Sequence, residues 1–371
     1  MFPDRKTQRV PKSLLSLAAR TPSLQVAASL LSLAAAAGLA VVGIIAAAWV
    51  GPWSCSAAPP PATAAARQPV VLATIPVGFN PRVVAFTPGW LSAYVSNAGS
   101  NTVSVIDVGT RTVTATIPVG RFPYGVAFGG RGSFAYVANR DSSDVSVIDT
   151  ATRQAIKSIP VGSNPRWVAM APDESFAYVS STGANAINVI STATHSVAAT
   201  IPVGLAPRGI AFTRTGRTAY VANSDSDTVS VIDVATGTVT DSVPVGDEPR
   251  GVLISADDRA AYISNTIAGT VSVIDTGRRL VVATITVGQN PRGLAFAAGG
   301  RIAFVANSGS GRGILPWARS CVMTIDTATN TVAGHAGVGT DPRWIGEGLG
   351  GEYVYVTNTG SASVSVIELA R

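Results

Sequence analysis

Between residues 224 and 246 apolar and polar positions alternate twice, over Val229 to Ile232 and again over Thr238 to Val245, with Asp233, Thr236 and Gly237 between the two runs. A period of two bounded by turn formers predicts an antiparallel hairpin. Near-copies recur along the chain. Gly78, Gly120, Gly162, Gly204, Gly246 and Gly288 each close an apolar run at a spacing of 42 residues, and each is followed at a fixed offset by Pro81, Pro123, Pro165, Pro207, Pro249 or Pro291. A small and apolar run comes next, such as Gly209-Ile210-Ala211-Phe212. Then follow Tyr94-Val95-Ser96-Asn97 and its counterparts at 136, 178, 220, 262, 304 and 355, and last Val-Ser-Val-Ile-Asp or a variant at 103, 145, 187, 229, 271, 322 and 364.

Four short strands repeated at this period predict an all-β fold, a seven-bladed β-propeller of four-stranded antiparallel blades. The array opens on residues 70–77, which match an outer strand, and ends on 364–369, which match a third strand. The two ends are therefore expected to complete one blade together, which removes the free sheet edges. Small residues in the inner strands, such as Gly125-Val126-Ala127 and Gly251-Val252-Leu253, suit a crowded axis. The Asp ending each third strand (Asp107, Asp149, Asp233, Asp275, Asp326) is expected to cap a turn.

The copies closely resemble the YVTN family of β-propeller repeats, whose tetrapeptide stands unaltered at 355–358. The resemblance spans residues 70–371 and implies an exported or surface-displayed propeller used for binding. Departures are Ser181 for Asn, Ser191 for Asp, Arg121-Phe122-Pro123-Tyr124 for the Asn-Pro-Arg motif, and an insertion in the sixth repeat.

From Val26 to Val50 the chain is apolar but for Ser29 and Ser32. At about 1.5 Å per residue such a helix spans roughly 37 Å, enough for a hydrocarbon core of about 30 Å. Basic residues precede the segment and none follows until Arg67, which predicts residues 1–24 as a cytoplasmic tail, 25–50 as a transmembrane signal anchor, 51–69 as a Pro/Ala-rich linker and 70–371 as the exported propeller. A cleaved signal peptide, which would leave a secreted protein, and a lipid on Cys55 are the alternatives. Cys55 and Cys321 stand alone in their regions; an exported chain permits a disulfide between them, but none is expected.

The net charge of +6 would suggest nucleic acid until it is located. Residues 1–69 hold six basic residues against Asp4, leaving 21 basic and 20 acidic residues in the body. A near-neutral propeller is a poor nucleic-acid binder.

Up-and-down strands put the Pro-Arg loops and the loops after Asn on one face. Arg82, Arg166, Arg208, Arg250, Arg292 and Arg343 are expected near the channel mouth there, with Tyr124 in place of a seventh. Gathered guanidiniums repel one another unless anions or carboxylates intervene. Asp247, Glu248 and Asp341 adjoin the loops, and Asp141, Asp144, Asp225 and Asp227 share the face, so internal pairing competes with an anion site. The insertion, residues 308–321, carries Arg312, Trp317 and Arg319, a binding-spot composition, or else folds its own apolar residues over the ring.

His195 and His335 are the only histidines. No three-histidine zinc site, haem ligation, nucleophile elbow or phosphate-cradling loop is read, and no catalytic residue, metal site or cofactor is assigned. The sequence thus points to a membrane-anchored, extracytoplasmic scaffold binding a protein, glycan or other anionic ligand at the cell envelope. The alternative is a lactonase-type propeller enzyme with a divalent cation at the channel mouth.

Overall fold

The alternating runs pair as hairpins. Thr228–Asp233 lies antiparallel to Thr238–Pro244, with Val229 opposite Val243 and Asp233 opposite Thr238. The turn between them is closed by Asp233, whose Oδ1 accepts the Thr236 amide at 2.8 Å. Asp107, Asp149, Asp275 and Asp326 accept the amide three residues on in the same way. The carboxylate mimics a backbone acceptor, which is why Asp recurs there.

This structure, a computed structural model, describes residues 69–309 and 320–368. The tail, the expected membrane span and the linker up to residue 68 lie outside them, as do Arg312, Trp317 and Arg319 of the insertion. Among the described residues no helix is long and apolar enough to cross a membrane.

Seven four-stranded antiparallel sheets form the ring. Blades 1 to 6 comprise residues 81–118, 123–160, 165–202, 207–244, 249–286 and 291–337, and blade 7 joins 342–368 to Val70–Pro76. In that last blade Val70 faces Glu368 and Pro76 faces Ser363, so the outer strand comes from one end of the array and its partner from the other. The expected closure and the count of seven are both observed.

The cores lie between blades rather than within them. Tyr94, Val103, Val105 and Ile117 of blade 1 pack on Val126, Ala135, Val137 and Ile148 of blade 2. At the seam, Ile75, Tyr355, Val364 and Val366 pack on Val84, Ala93, Val95 and Ile106 of blade 1. Each sheet is therefore apolar on both faces, and burying them requires a neighbour on each side. The Tyr of the repeat sets its ring edge-on to the Phe of the next inner strand, as in Tyr94 with Phe128 and Tyr355 with Phe86, at centroid distances of 5.0 Å.

Buried polar ladders sit in the same layers. Asn139 Nδ2 donates to Ser146 Oγ at 2.8 Å, and Asn97, Asn223, Asn265 and Asn358 make the equivalent bond. In blade 3 the pair is exchanged: Ser181 stands for Asn and Asn188 for Ser, and Ser181 Oγ donates to Asn188 Oδ1 at 2.6 Å. The departure at Ser181 is thus answered across the hairpin. The expectation for Cys55 and Cys321 falls in part outside the described residues, because Cys55 does.

Candidate functional site

Each inner strand starts on a Pro, and in four of the seven blades the carbonyl of that Pro is held by a hydroxyl of the preceding blade. Thr182, Ser224, Thr266 and Thr359 donate their hydroxyls to the carbonyls of Pro207, Pro249, Pro291 and Pro81, at 2.7, 2.6, 2.9 and 2.7 Å. The next residue is the arginine, so its Cα is fixed by its own strand and by the neighbouring blade. One position further in, Gly251 and Gly293 lie against the adjoining inner strands. An added Cβ would sit 2.5 Å from Arg292 O and 2.6 Å from Trp344 Cα respectively, closer than a side chain tolerates.

This construction brings Arg82, Tyr124, Arg166, Arg208, Arg250, Arg292 and Arg343 to one pocket, together with Trp167 and Trp344. The seven residues read from the repeat register share the mouth of the channel. The two tryptophans are not singled out by that register. Their signal is present, though: they follow Arg166 and Arg343 where other blades carry Val83, Gly125, Gly209, Gly251 and Gly293. They belong to blades 3 and 7, separated by two blades one way round and three the other. Their rings nevertheless meet, with centroids 4.0 Å apart and planes at 47°.

Compensation of the cationic ring is incomplete. Arg343 pairs with Asp341 at 2.9 Å, and Glu248 is shared by Arg250 and, at 3.8 Å, Arg208. Among the described residues no other carboxylate lies within ion-pair distance of the six guanidiniums. Asp141 pairs with Arg140 at 3.2 Å, Asp144 bonds to Asn139, Ser142 and Ser158, and Asp227 accepts the Glu248 amide at 2.8 Å. Those acids shape their loops and leave the ring alone. Arg292 and Arg208 donate Nε to Ser308 and Ser224 hydroxyls at 3.1 and 2.6 Å, contacts that add no negative charge.

Tyr124 fills the seventh place between two cations. The guanidinium carbons of Arg82 and Arg166 each lie 5.4 Å from its ring centroid. Phe122 next to it takes Arg82 at 5.1 Å and Arg140 at 4.7 Å. An aromatic face accepts a cation on each side, so a phenol separates two guanidiniums that would otherwise repel. Burial raises the Tyr124 phenol, but Arg82, Arg166, Arg343 and Arg250 outweigh it and bring the pKa down to about 6. Burial and neighbouring guanidiniums likewise lower Arg208 and Arg292 to about 9; Arg82 falls to about 10, chiefly through burial.

A pH dependence follows. As pH rises through about 6 the phenol gives up its proton and a negative charge appears beside Arg82, Arg166, Arg343 and Arg250. Sulfate, whose own charge is constant in this range, is expected to bind several-fold more weakly at pH about 8 than at about 5, and Tyr124→Phe should flatten the profile. The phenolate band in the near-ultraviolet, followed on the full chain, reports the same step. The unfolded phenol ionises near pH 10, so the folded state holds fewer protons between about 6 and 10, and stability from this group grows with pH across that window and is lost on descent through about 6. If the phenolate band appears only near pH 10, the arginines do not act on Tyr124 as described.

The mouth does not fit a divalent cation. Its carboxylates, Glu248 and Asp341, are each engaged by arginine, and a dication would meet six guanidiniums. Among the described residues no group of three or more His, Cys, Asp or Glu side chains could hold a metal ion.

The sequence model described as "Lactonase, 7-bladed beta-propeller" matches residues 154–247, from the last strand of blade 2 through blade 4. No curated protein matches the chain. Among solved structures, hydrazine synthase of Kuenenia stuttgartiensis is similar with a TM-score of 0.68 at 23% identity, covering 78% of this chain and 96% of that one. At that identity the likeness concerns the fold, and both comparisons agree with a β-propeller.

Proposed function

We propose that this chain is a YVTN-type propeller that binds an anionic ligand in the arginine-lined mouth of its channel, held at the cell envelope by the apolar segment 25–50. The observation that carries the reading is charge: six guanidiniums converge on one pocket, and two carboxylates, with the Tyr124 phenolate above pH about 6, answer them. The hydroxyls that hold the inner strands of Arg82, Arg208, Arg250 and Arg292 preorganise that part of the ring, so less ordering is left to occur on binding. The ligand's own source would be an acidic small molecule, or an acidic group on an envelope protein or glycan.

The test is calorimetric titration of the full chain, recovered from the membrane fraction, with tricarballylate, an aliphatic tricarboxylate. Arg82→Gln and Arg292→Gln, which contact no carboxylate within ion-pair distance, are each expected to weaken binding about tenfold, the size of one charge-assisted hydrogen bond, with melting temperature retained. Unchanged affinity in both variants would sink the anion site. Recovery of the full chain from the soluble fraction alone would remove the anchor and leave the site standing.

A further inference from the structure

We infer that the mouth is a closed cup for a small polyanion with a flat apolar body, of which an aromatic polycarboxylate is the simplest example. The inference rests on the anion-binding reading above and narrows it.

The floor of the cup is the indole pair. Trp167 and Trp344 follow Arg166 and Arg343 on inner strands that run from the mouth inward, so they stand one residue deeper than the cationic ring. Coming from blades that do not adjoin, they meet across the axis with centroids 4.0 Å apart. Trp167 is fixed by its ring N–H, which donates to Ile210 O at 3.1 Å. The backbone at Trp344 is held by its N–H, which donates to Thr357 Oγ1 at 3.1 Å, and its ring rests against Trp167. A peptide or glycan strand could not thread a channel bridged in this way. A ligand must enter and leave by the mouth.

The wall and the rim divide the chemistry. Tyr124, with Arg82 and Arg166 on its ring, spaces two of the cations of the wall. The buried Nε atoms of Arg82, Arg166 and Arg250 have no hydrogen-bond partner among the described residues, so the guanidiniums that line the mouth are incompletely satisfied within the fold. Buried donors of this kind favour an acceptor that brings charge. A fully hydrated inorganic anion would have to shed water over an indole floor that offers it nothing in return. A planar ring bearing carboxylates at its edge places charge at the rim and its apolar face on the indoles, where offset or edge-to-face contact is favourable.

The probes are trimesate, a benzene ring with three carboxylates, and tricarballylate, which has the same number of carboxylates on an aliphatic chain. The full chain is expected to bind trimesate up to about tenfold more tightly, the scale of one added ring contact, and trimesate alone should quench tryptophan fluorescence. Trp344→Leu should remove the preference while tricarballylate affinity stays within about twofold. Because Trp344→Leu could fail to fold, the quenching comparison on the unaltered chain stands as an independent measure. Equal affinities, or equal quenching by the two probes, overturn the aromatic cup and leave the anion site intact. If neither probe binds, both readings fall.

Discussion

A chain lacking Val70–Pro76 is expected to lose its ring closure and to be recovered as oligomer or aggregate. The deletion strips blade 7 of its outer strand and bares the edge of Ser363–Glu368, whose N–H and C=O groups it now pairs. Exposed edges of that kind recruit other chains. It also removes Ile75, 3% exposed and packed with Val364, Val366 and the residues of blade 1, so the seam loses apolar contact on both sides. A milder version isolates the packing term: Ile75→Asp leaves the backbone able to pair but buries a carboxylate without a partner, and a loss of about 3 to 5 kcal/mol is expected. Light scattering after size exclusion and thermal melting check both. A monomer melting at the unaltered temperature after the deletion would show that closure does not depend on this strand.

Glu248→Gln is expected to move stability and binding in opposite directions. Glu248 bridges Arg208 and Arg250 with about a fifth of its side chain exposed. Loss of its charge leaves two guanidiniums repelling each other, which we expect to lower stability by about 1 to 2 kcal/mol, discounted from the cost of breaking a fully buried pair because water reaches the site. The same change raises the positive potential of the mouth, and tricarballylate affinity should rise several-fold, to about tenfold. If the ring were only a structural network, weaker packing would bring weaker binding or none. A fall in both quantities therefore decides against a site built to receive an anion.

The fold was legible because its unit is written out seven times. Alternation within a hairpin specifies which residues face the neighbouring sheets, and a fixed offset from Gly to Pro to Arg carries every guanidinium to the same height on the axis. Register within the repeat is local information, which is why Arg82 and Arg343 could be placed together although they stand near opposite ends of the array. The exchange of Ser181 and Asn188 was less visible, since it becomes a single event only once the two strands are paired. The meeting of Trp167 with Trp344 was not legible at all. It joins blades that are neither adjacent nor equivalent, and no comparison of one copy with the next indicates which positions reach across a hole. The strengths of the two carboxylate pairings were open for a similar reason: Asp247 and Glu248 are consecutive, and the backbone at the loop decides that Glu248 turns to the arginines. The charge that places Tyr124 between two cations could be read only as a missing arginine, because its effect depends on distance to neighbours in other blades.

Fold and pocket in this molecule obey different symmetries. Any blade can serve as a structural module, since each offers the same two apolar faces to whatever stands beside it. The pocket has no such indifference: its phenol belongs to blade 2 and its indoles to blades 3 and 7, so a guest meets a mouth with a front and a back. An added unit would have to be accommodated in a closed ring, and it would also move these aromatic groups out of reach of one another. Selection on the ligand, as well as on the sheets, would then hold the number of units where it is.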